Sequence, residues 1–369
     1  MSEPRTFGID ARAAQEEGAG GGRVVRELLR ALAARSDQHR YRVYARTAWE
    51  EPLDERFTWV LNGAPDPAWH IRAADNASRT CAAFLSTNSY LTAWLTRIPC
   101  APVVYDLVAF DAALRPQRRS GLIERVTLGP AVRRSPALVA ISQATADALT
   151  ARFAAARGKV VVAPMGVAPA FDGGPGSASL PDGVPAEGFV LAVGTLEPRK
   201  NLPRLVEAFR RLPGALQSAH PLVVTGRIGW EASETVASLD ALGDRAVRTG
   251  FVPDAQLAAL YRHCGVFAYP SLGEGFGLPV LEAMAAGAPV LTSDRSSLPE
   301  VGGDAVAYCD PEDVGSIASG LEALLTDAGR REALRAAGPE RAAGFTWERT
   351  AEVVVDVLER IAEIGERQR

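Results

Sequence analysis

The 369-residue chain has little of what builds disulfide frameworks or zinc sites. Its four cysteines, Cys81, Cys100, Cys264 and Cys309, form no CxxC pair, and its four histidines, His39, His70, His220 and His263, lie far apart. Without a dense, paired cysteine set or the short spacings of zinc ligands, neither framework is supported and no metal is called for. Positive charge is not in excess either: 40 Lys+Arg against 44 Asp+Glu leave a formal net charge of −4. Such a balance exerts no global attraction on a polyanion, which argues against a nucleic-acid partner. No apolar run approaches the roughly 20 residues that a membrane span requires. The opening MSEPRTFGIDARAAQEEGAGGG lacks the basic start and apolar stretch of a secretory signal, so a cytoplasmic location is expected.

What is present fits a folded protein, with 47% hydrophobic and 23% charged residues. The length suits two domains, each able to bury its own core. Short Val-rich runs alternate with helical patterns, the mark of parallel strands joined by crossover helices. In the first half these are Tyr41–Tyr44, Ala101–Tyr105, Ala137–Ile141 and Lys159–Ala163. In the second they are Phe189–Val193, Pro221–Thr225, Val266–Tyr269 and Ala288–Thr292, with helices expected at Asn201–Arg211 and Asp254–His263. Both halves read as doubly wound α/β sheets. Periodicity disappears in the Gly, Pro and Ser-rich stretch from Ala168 to Gly188, which places the domains at 1–170 and 188–345 with a linker at 171–187. The last segment, 346–369, is amphipathic, with Trp347, Val354, Val357, Leu358 and Ile361 on one stripe that needs a surface to cover.

Open parallel sheets bind ligands at the carboxyl ends of their strands. Five such places carry chemistry. Gly20, Gly21 and Gly22 precede a helix expected to begin near Val24, and their amides could hold a phosphate or form a plain flexible turn. In VLAVGTLEPRKNL the strand ends at Gly194 and Thr195, and Asn201 is placed to cap the next helix. Arg199 and Lys200 are thereby held beside a helix start, suited to a diphosphate leaving group; a solvated charged loop is the alternative.

PSLGEGFGLPVLEAMAAGAPV is the most specific segment. Glu274 lies in its glycine-rich loop and Glu282 in the helix opened by Gly277 and Pro279, so both carboxylates can point into one cleft. Gly275 and Gly277 permit close approach, leaving the amides of Phe276, Gly277 and Leu278 for hydroxyls or a developing anion. Tyr105 and Asp106 end a strand of the first half, where Asp106 could orient a sugar or close a turn. In RTGFVP, Phe251 and Val252 could present main-chain groups to a nucleobase edge.

These residues resemble the retaining glycosyltransferases of family 4, also called glycosyl transferases group 1. The resemblance covers nearly the whole chain and is strongest from Phe189 to Asp310, above all in the E-x7-E pair of Glu274 and Glu282. It implies the GT-B fold: two Rossmann-like domains facing a cleft, the donor held mainly by the second and the acceptor mainly by the first, with the last helix crossing back to the first. It also implies a nucleotide-sugar donor, GDP-mannose or a UDP-sugar, as substrate, no separate cofactor, and a glycan, lipid-linked or small-molecule acceptor. By position, Glu274 contacts donor-sugar hydroxyls beside the amides of Phe276 and Gly277. Glu282 holds the ribose, Arg199 and Lys200 grip the pyrophosphate, and the Gly20–Gly22 loop lies near the phosphates. Thr225 and Gly226 join the donor side.

Three positions depart from the family pattern. Tyr105 stands where many members carry histidine before Asp106, Gly194-Thr195 where many carry Gly-Arg, and Met165 where Asn is usual. The GTLEPRKNL form resembles the mannosyltransferase-like subset of polysaccharide assembly. A non-hydrolysing nucleotide-sugar 2-epimerase and a non-catalytic nucleotide-sugar binding subunit are the competing readings. Finally, Arg115, Arg118, Arg119, Arg125, Arg133 and Arg134 are interleaved with Leu122, Ile123, Val126 and Leu128. A basic amphipathic helix of this kind suits peripheral contact with an anionic membrane, and a solvated helix face explains the same residues.

Overall fold

The computed structural model describes residues 3–16, 20–111, 118–172 and 178–367, with backbone only for 118–120. The chain divides into two compact units, Met1–Gly166 with Thr346–Arg369, and Val167–Phe345.

The first unit carries a seven-stranded sheet formed by β1 (Thr6–Asp10), β2 (Arg40–Ala45), β3 (Phe57–Leu61), β4 (Ala83–Ser86), β5 (Cys100–Val104), β6 (Leu138–Ala140) and β7 (Val160–Val162). Every pairing is parallel and the spatial order is β3-β2-β1-β4-β5-β6-β7. The inner strands are covered on both faces, so they read as continuous apolar runs rather than as alternation: β4 and β5 are buried at every residue. The first long helix spans Gly20–Ala34, four residues earlier than its apolar periodicity suggested. The glycines expected to precede it form its first turn. Glycine is a poor helix former, so periodicity alone marks the start too late. Gly22 is required there, because a Cβ would stand 2.2 Å from the Glu16 carbonyl oxygen.

The terminal helix Trp347–Arg367 belongs to this unit. Trp347, Val354, Val357, Leu358 and Ile361 are all buried, and the helix packs on β4, β5 and the helix Gly20–Ala34. Its polar edge is tied down as well: His39 Nε2 meets Glu359 Oε1 at 2.9 Å, and Arg5 donates two hydrogen bonds to Glu366. Gly365 gives the close contact with Pro99, where a Cβ would approach Cγ to 2.6 Å.

The second unit is built on β8 (Val190–Val193), β9 (Leu222–Thr225), β10 (Ala246–Gly250), β11 (Val266–Tyr269), β12 (Val290–Ser293) and β13 (Ala307–Cys309), all parallel, in the order β10-β9-β8-β11-β12-β13. Its core joins Val190, Leu205, Phe209, Val224, Leu291 and Leu321. In each unit the strand order reverses beside the first strand, between β1 and β4 and between β8 and β11. A crevice opens at such a reversal outside the carboxyl ends of the strands. Among the described residues no helix is long and apolar enough to cross a membrane.

Candidate functional site

The switch point of the second unit gathers its most highly charged buried cluster. β8 ends at Gly194, whose φ of 135° turns the chain sharply away from the sheet. Gly226, after β9, must also be glycine, since a Cβ would lie 2.1 Å from the Gly194 carbonyl oxygen. The chain then makes a single 3-10 turn, Pro198–Lys200, that delivers Arg199 and Lys200 side by side. Asn201 follows in the left-handed conformation, φ 60°, which asparagine tolerates better than most residues. It stands at the start of the helix Leu202–Arg211, but its side chain makes no cap bond there. Instead its amide donates to the carbonyls of Pro270, 2.9 Å, and Pro311, 2.6 Å. The expected helix cap is therefore a clamp between the Arg199 turn and the loops after β11 and β13, because the left-handed backbone turns the side chain away from the helix amides.

From β11 come the anionic partners. Glu274 Oε1 accepts from Lys200 Nζ at 2.7 Å, Tyr269 Oη at 2.8 Å and Ser271 Oγ at 2.6 Å, while Oε2 accepts from the Arg199 guanidinium. Lys200 also donates to the Tyr269 hydroxyl, and Arg199 Nε donates to Glu197 at 2.6 Å. The side chains of Glu274 and Lys200 are only 8% and 9% exposed, whereas Arg199 keeps 24%. Burial alone would raise the Glu274 pKa, but the charges of Lys200 and Arg199 and the hydrogen bonds from Lys200 and Ser271 outweigh it and bring it down to about 2. The same burial, with the Glu274 charge, holds the Tyr269 hydroxyl well above its ordinary range and fully protonated.

Tyr269 and Ser271 were not singled out from sequence. The only signal for Tyr269 is its place as the last residue of an apolar strand, where a hydroxyl at the carboxyl end meets the site.

The glycine-rich loop is locked from below. Ser297 Oγ donates to the carbonyls of Glu274, 3.0 Å, and Phe276, 2.8 Å, and the Glu274 amide donates to Ser296 Oγ at 3.0 Å. Ser296 takes φ 53°, a strained conformation for a non-glycine residue that these bonds maintain. Gly277, φ 105°, opens the helix Leu278–Ala285 and could not carry a side chain, since a Cβ would stand 2.6 Å from Leu298 Cδ2. The amides of Phe276, Gly277 and Leu278 donate to no acceptor among the described residues. Gly275 is buried beside them, and the Phe276 ring packs edge-on against Phe345. Glu282, on the same helix, is 2% exposed and accepts from Tyr261 Oη at 3.4 Å. Arg199, Lys200 and Glu274 are thus one bonded cluster, while Glu282 has its own partner deeper in the unit.

A cavity of about 470 Å³ runs along β10 from Ala246 to Gly250, and Leu196, Gly226, Ile228 and Asp240 also line it. Thr225 Oγ1 donates to the Gly250 carbonyl at 3.0 Å and fixes the two strand ends together, with Thr195 on the neighbouring turn. Phe251 is 45% exposed and carries the Arg227 guanidinium 5.0 Å from its ring centre, whereas Val252 is buried. An exposed ring stacked with a cation offers a flat face to an aromatic base. Arg227 was another residue that sequence reasoning passed over.

Tyr105 and Asp106 lie in the first unit, directly after β5. Asp106 Oδ1 accepts from the Val108 amide at 2.9 Å, an Asx turn, and the Tyr105 carbonyl accepts from Thr145 Oγ1 at 3.3 Å. Glu124 stands near them: burial and then the Asp106 charge push its carboxyl up to about 7. Gly20 and Gly21 have open space where a Cβ would go. Of the basic stretch, Arg115 and the side chains of Arg118 and Arg119 lie outside the described residues. The remainder of that helix exposes Leu122, Ile123 and Val126, more than half in each case, next to exposed Arg125 and Arg133. Arg125 donates within its own helix, to the Gly121 carbonyl, whereas Arg134 donates twice to the Thr96 carbonyl outside it and so serves the fold. Among the described residues no three His, Cys, Asp or Glu side chains converge on a point that could hold a metal ion.

The sequence pattern of the family described as Glycosyl transferases group 1 matches residues 184–341, and that of Glycosyltransferase Family 4 matches residues 18–171. The O-antigen chain mannosyltransferase B of Escherichia coli is 43% identical over 165 residues, which are 44% of this chain and 43% of that protein. The serotype-specific mannosyltransferase WbdA of Escherichia coli is 39% identical over 187 residues, 50% of this chain and 22% of that protein. The matches therefore span less than half the length of these curated relatives. Among solved structures, the sucrose-phosphate synthase of Thermosynechococcus elongatus shares the fold with a TM-score of 0.76 at 19% identity, covering 97% of this chain and 99% of that one.

Proposed function

The chain belongs to the group 1 glycosyl transferases of family 4, and from that premise we propose that it transfers a hexosyl group, mannose, from a nucleoside diphosphate donor to a sugar acceptor with retention of configuration. The observation that carries the reading is the Arg199, Lys200 and Glu274 cluster at the carboxyl switch point of the second unit. Two cations held on one short turn match the two negative charges of a diphosphate, and they neutralise it as it becomes the leaving group. In the free chain those cations are satisfied by Glu274. A bound diphosphate takes their charge, and Glu274 turns its acceptor oxygens to the hydroxyls of the donor sugar.

The unpaired amides from Phe276 to Leu278 supply further donors on the same side. Glu282, buried and anchored by Tyr261, is assigned the ribose, and Phe251 with Arg227 the base. The acceptor falls to the first unit, with Tyr105, Asp106 and Glu124, whose carboxyl is pushed up by burial and the Asp106 charge, as its polar residues. Gly20 to Gly22, at the first turn of a helix, are assigned to the phosphates. No separate cofactor or metal enters this reading. The lean toward mannose rests on the names of the two relatives above, and GDP-mannose rather than a UDP-sugar is proposed as its donor. A cytoplasmic location with peripheral contact to an anionic membrane face, through the helix exposing Leu122, Ile123 and Val126, completes it.

The test is nucleotide release. With GDP-mannose as donor, free GDP is expected to form when a mannose oligosaccharide is added and to form slowly without it. Release independent of acceptor, or conversion of the free donor to its 2-epimer, contradicts the reading.

A further inference from the structure

At the other end of the second unit's sheet lies a cavity of about 480 Å³ lined by Arg262, Arg331 and Arg335 with His220 and His263. Gly188 and Gly265, which stand just before β8 and β11, line it as well. It therefore faces the amino ends of the same two strands whose carboxyl ends carry Lys200 and Glu274, and it shares no residue with that cluster.

Two of its cations are fixed in place without being neutralised. Arg335 donates to the carbonyls of Gly287, 3.1 Å, and Cys264, 2.9 Å, and Arg331 donates to those of Leu324, 2.6 Å, and Leu325, 2.8 Å. A neutral carbonyl holds a guanidinium rigidly and leaves its full charge in play, unlike the carboxylate that meets Arg199. Arg262 goes further: its Nε is buried without a partner, and it makes no hydrogen bond or ion pair to any described residue. Glu187 and Glu332 line the same cavity, yet neither forms an ion pair with any of the three arginines among the described residues. His220 is held by Nδ1 donating to the Gly188 carbonyl at 2.6 Å. Three guanidiniums around one space repel one another, and an anion between them converts that repulsion into attraction.

We propose that this cavity is an anion site, separate from the sugar-donor site, that takes a compact oxyanion of the phosphate or diphosphate class. Planar guanidinium forks bind such tetrahedral oxygens in pairs. The site stands whether or not the chain transfers sugars, because none of its residues enters that reading.

Titration calorimetry of the full chain with inorganic phosphate and inorganic diphosphate, at constant ionic strength, tests it. Saturable binding is expected in the natural chain and in Arg199→Ala, and affinity at least about tenfold weaker in Arg262→Ala, the loss of one charged hydrogen-bonding group. Arg262 makes no hydrogen bond or ion pair with any described residue, so the melting temperature of that variant without anion is expected to change little. A curve with two phases, one lost in each variant, also supports the site. No saturable binding, or binding insensitive to Arg262→Ala, overturns it; loss in Arg199→Ala alone would move the anion to the donor cluster.

Discussion

Glu274 is buried among four donors, and its energetics follow from that crowding. With both partners less than a tenth exposed, solvent screens the Lys200 pair poorly. Glu274→Gln keeps the shape and leaves Lys200 as a buried charge without a counter-ion, a change that costs about 3–5 kcal/mol. The sign with pH is fixed as well. The folded carboxyl titrates at about 2, below its ordinary value of 4.5, so its stabilising contribution is complete above the ordinary value and fades as pH falls through the folded one. Urea unfolding is expected to show the natural chain well ahead of Glu274→Gln at pH 7, with the gap closing between pH 4.5 and 2. Equal midpoints at pH 7, or a gap unchanged at the acid end, would contradict the assignment. At this scale the sequence showed Arg199, Lys200 and Glu274 through their motifs. It did not show Tyr269 and Ser271, which are commonplace in strands and loops and gain meaning only from the direction of their hydroxyls.

Elements were legible where apolar periodicity was uninterrupted. The strand Val266–Tyr269 and the helix Asp254–His263 are observed with the limits expected for them. Periodicity fails at glycine, as at the helix start Gly20, and at edges such as β3, FTWVL, which is apolar without alternation and has no fully buried residue. It cannot say whether an amphipathic helix covers a neighbour or faces outward. The structure resolves this for the helix Arg118–Arg134, since Leu128 and Val132 are buried while Leu122, Ile123 and Val126 are exposed. Trp94 and Leu95, on the neighbouring helix Tyr90–Leu95, are exposed as well. If that face docks on lipid, the chain is expected to float with vesicles containing anionic lipid and not with neutral ones. The triple change Leu122→Ser, Ile123→Ser, Val126→Ser is expected to abolish flotation with the circular dichroism spectrum intact. Equal flotation of the two proteins, or none by the natural chain, would remove the membrane contact.

For the whole molecule, two doubly wound sheets were legible because every βα step repeats the same alternation, and the reversal of strand order in each then tells where ligands collect. What could not be read were groups assembled from distant positions, such as Arg262 beside Arg331 and Arg335, whose spacing in the chain has no period. The placement of the diphosphate at Arg199 and Lys200 is the central claim, and a nucleotide titration reaches it most directly. GDP and UDP are titrated calorimetrically into the natural chain and into Arg199→Ala. One nucleotide is expected to bind saturably to the natural chain and on the order of 100-fold more weakly to the variant, as for loss of one partner of a buried charge pair. Equal affinity in the two proteins, or no binding of either nucleotide to the natural chain, would contradict it.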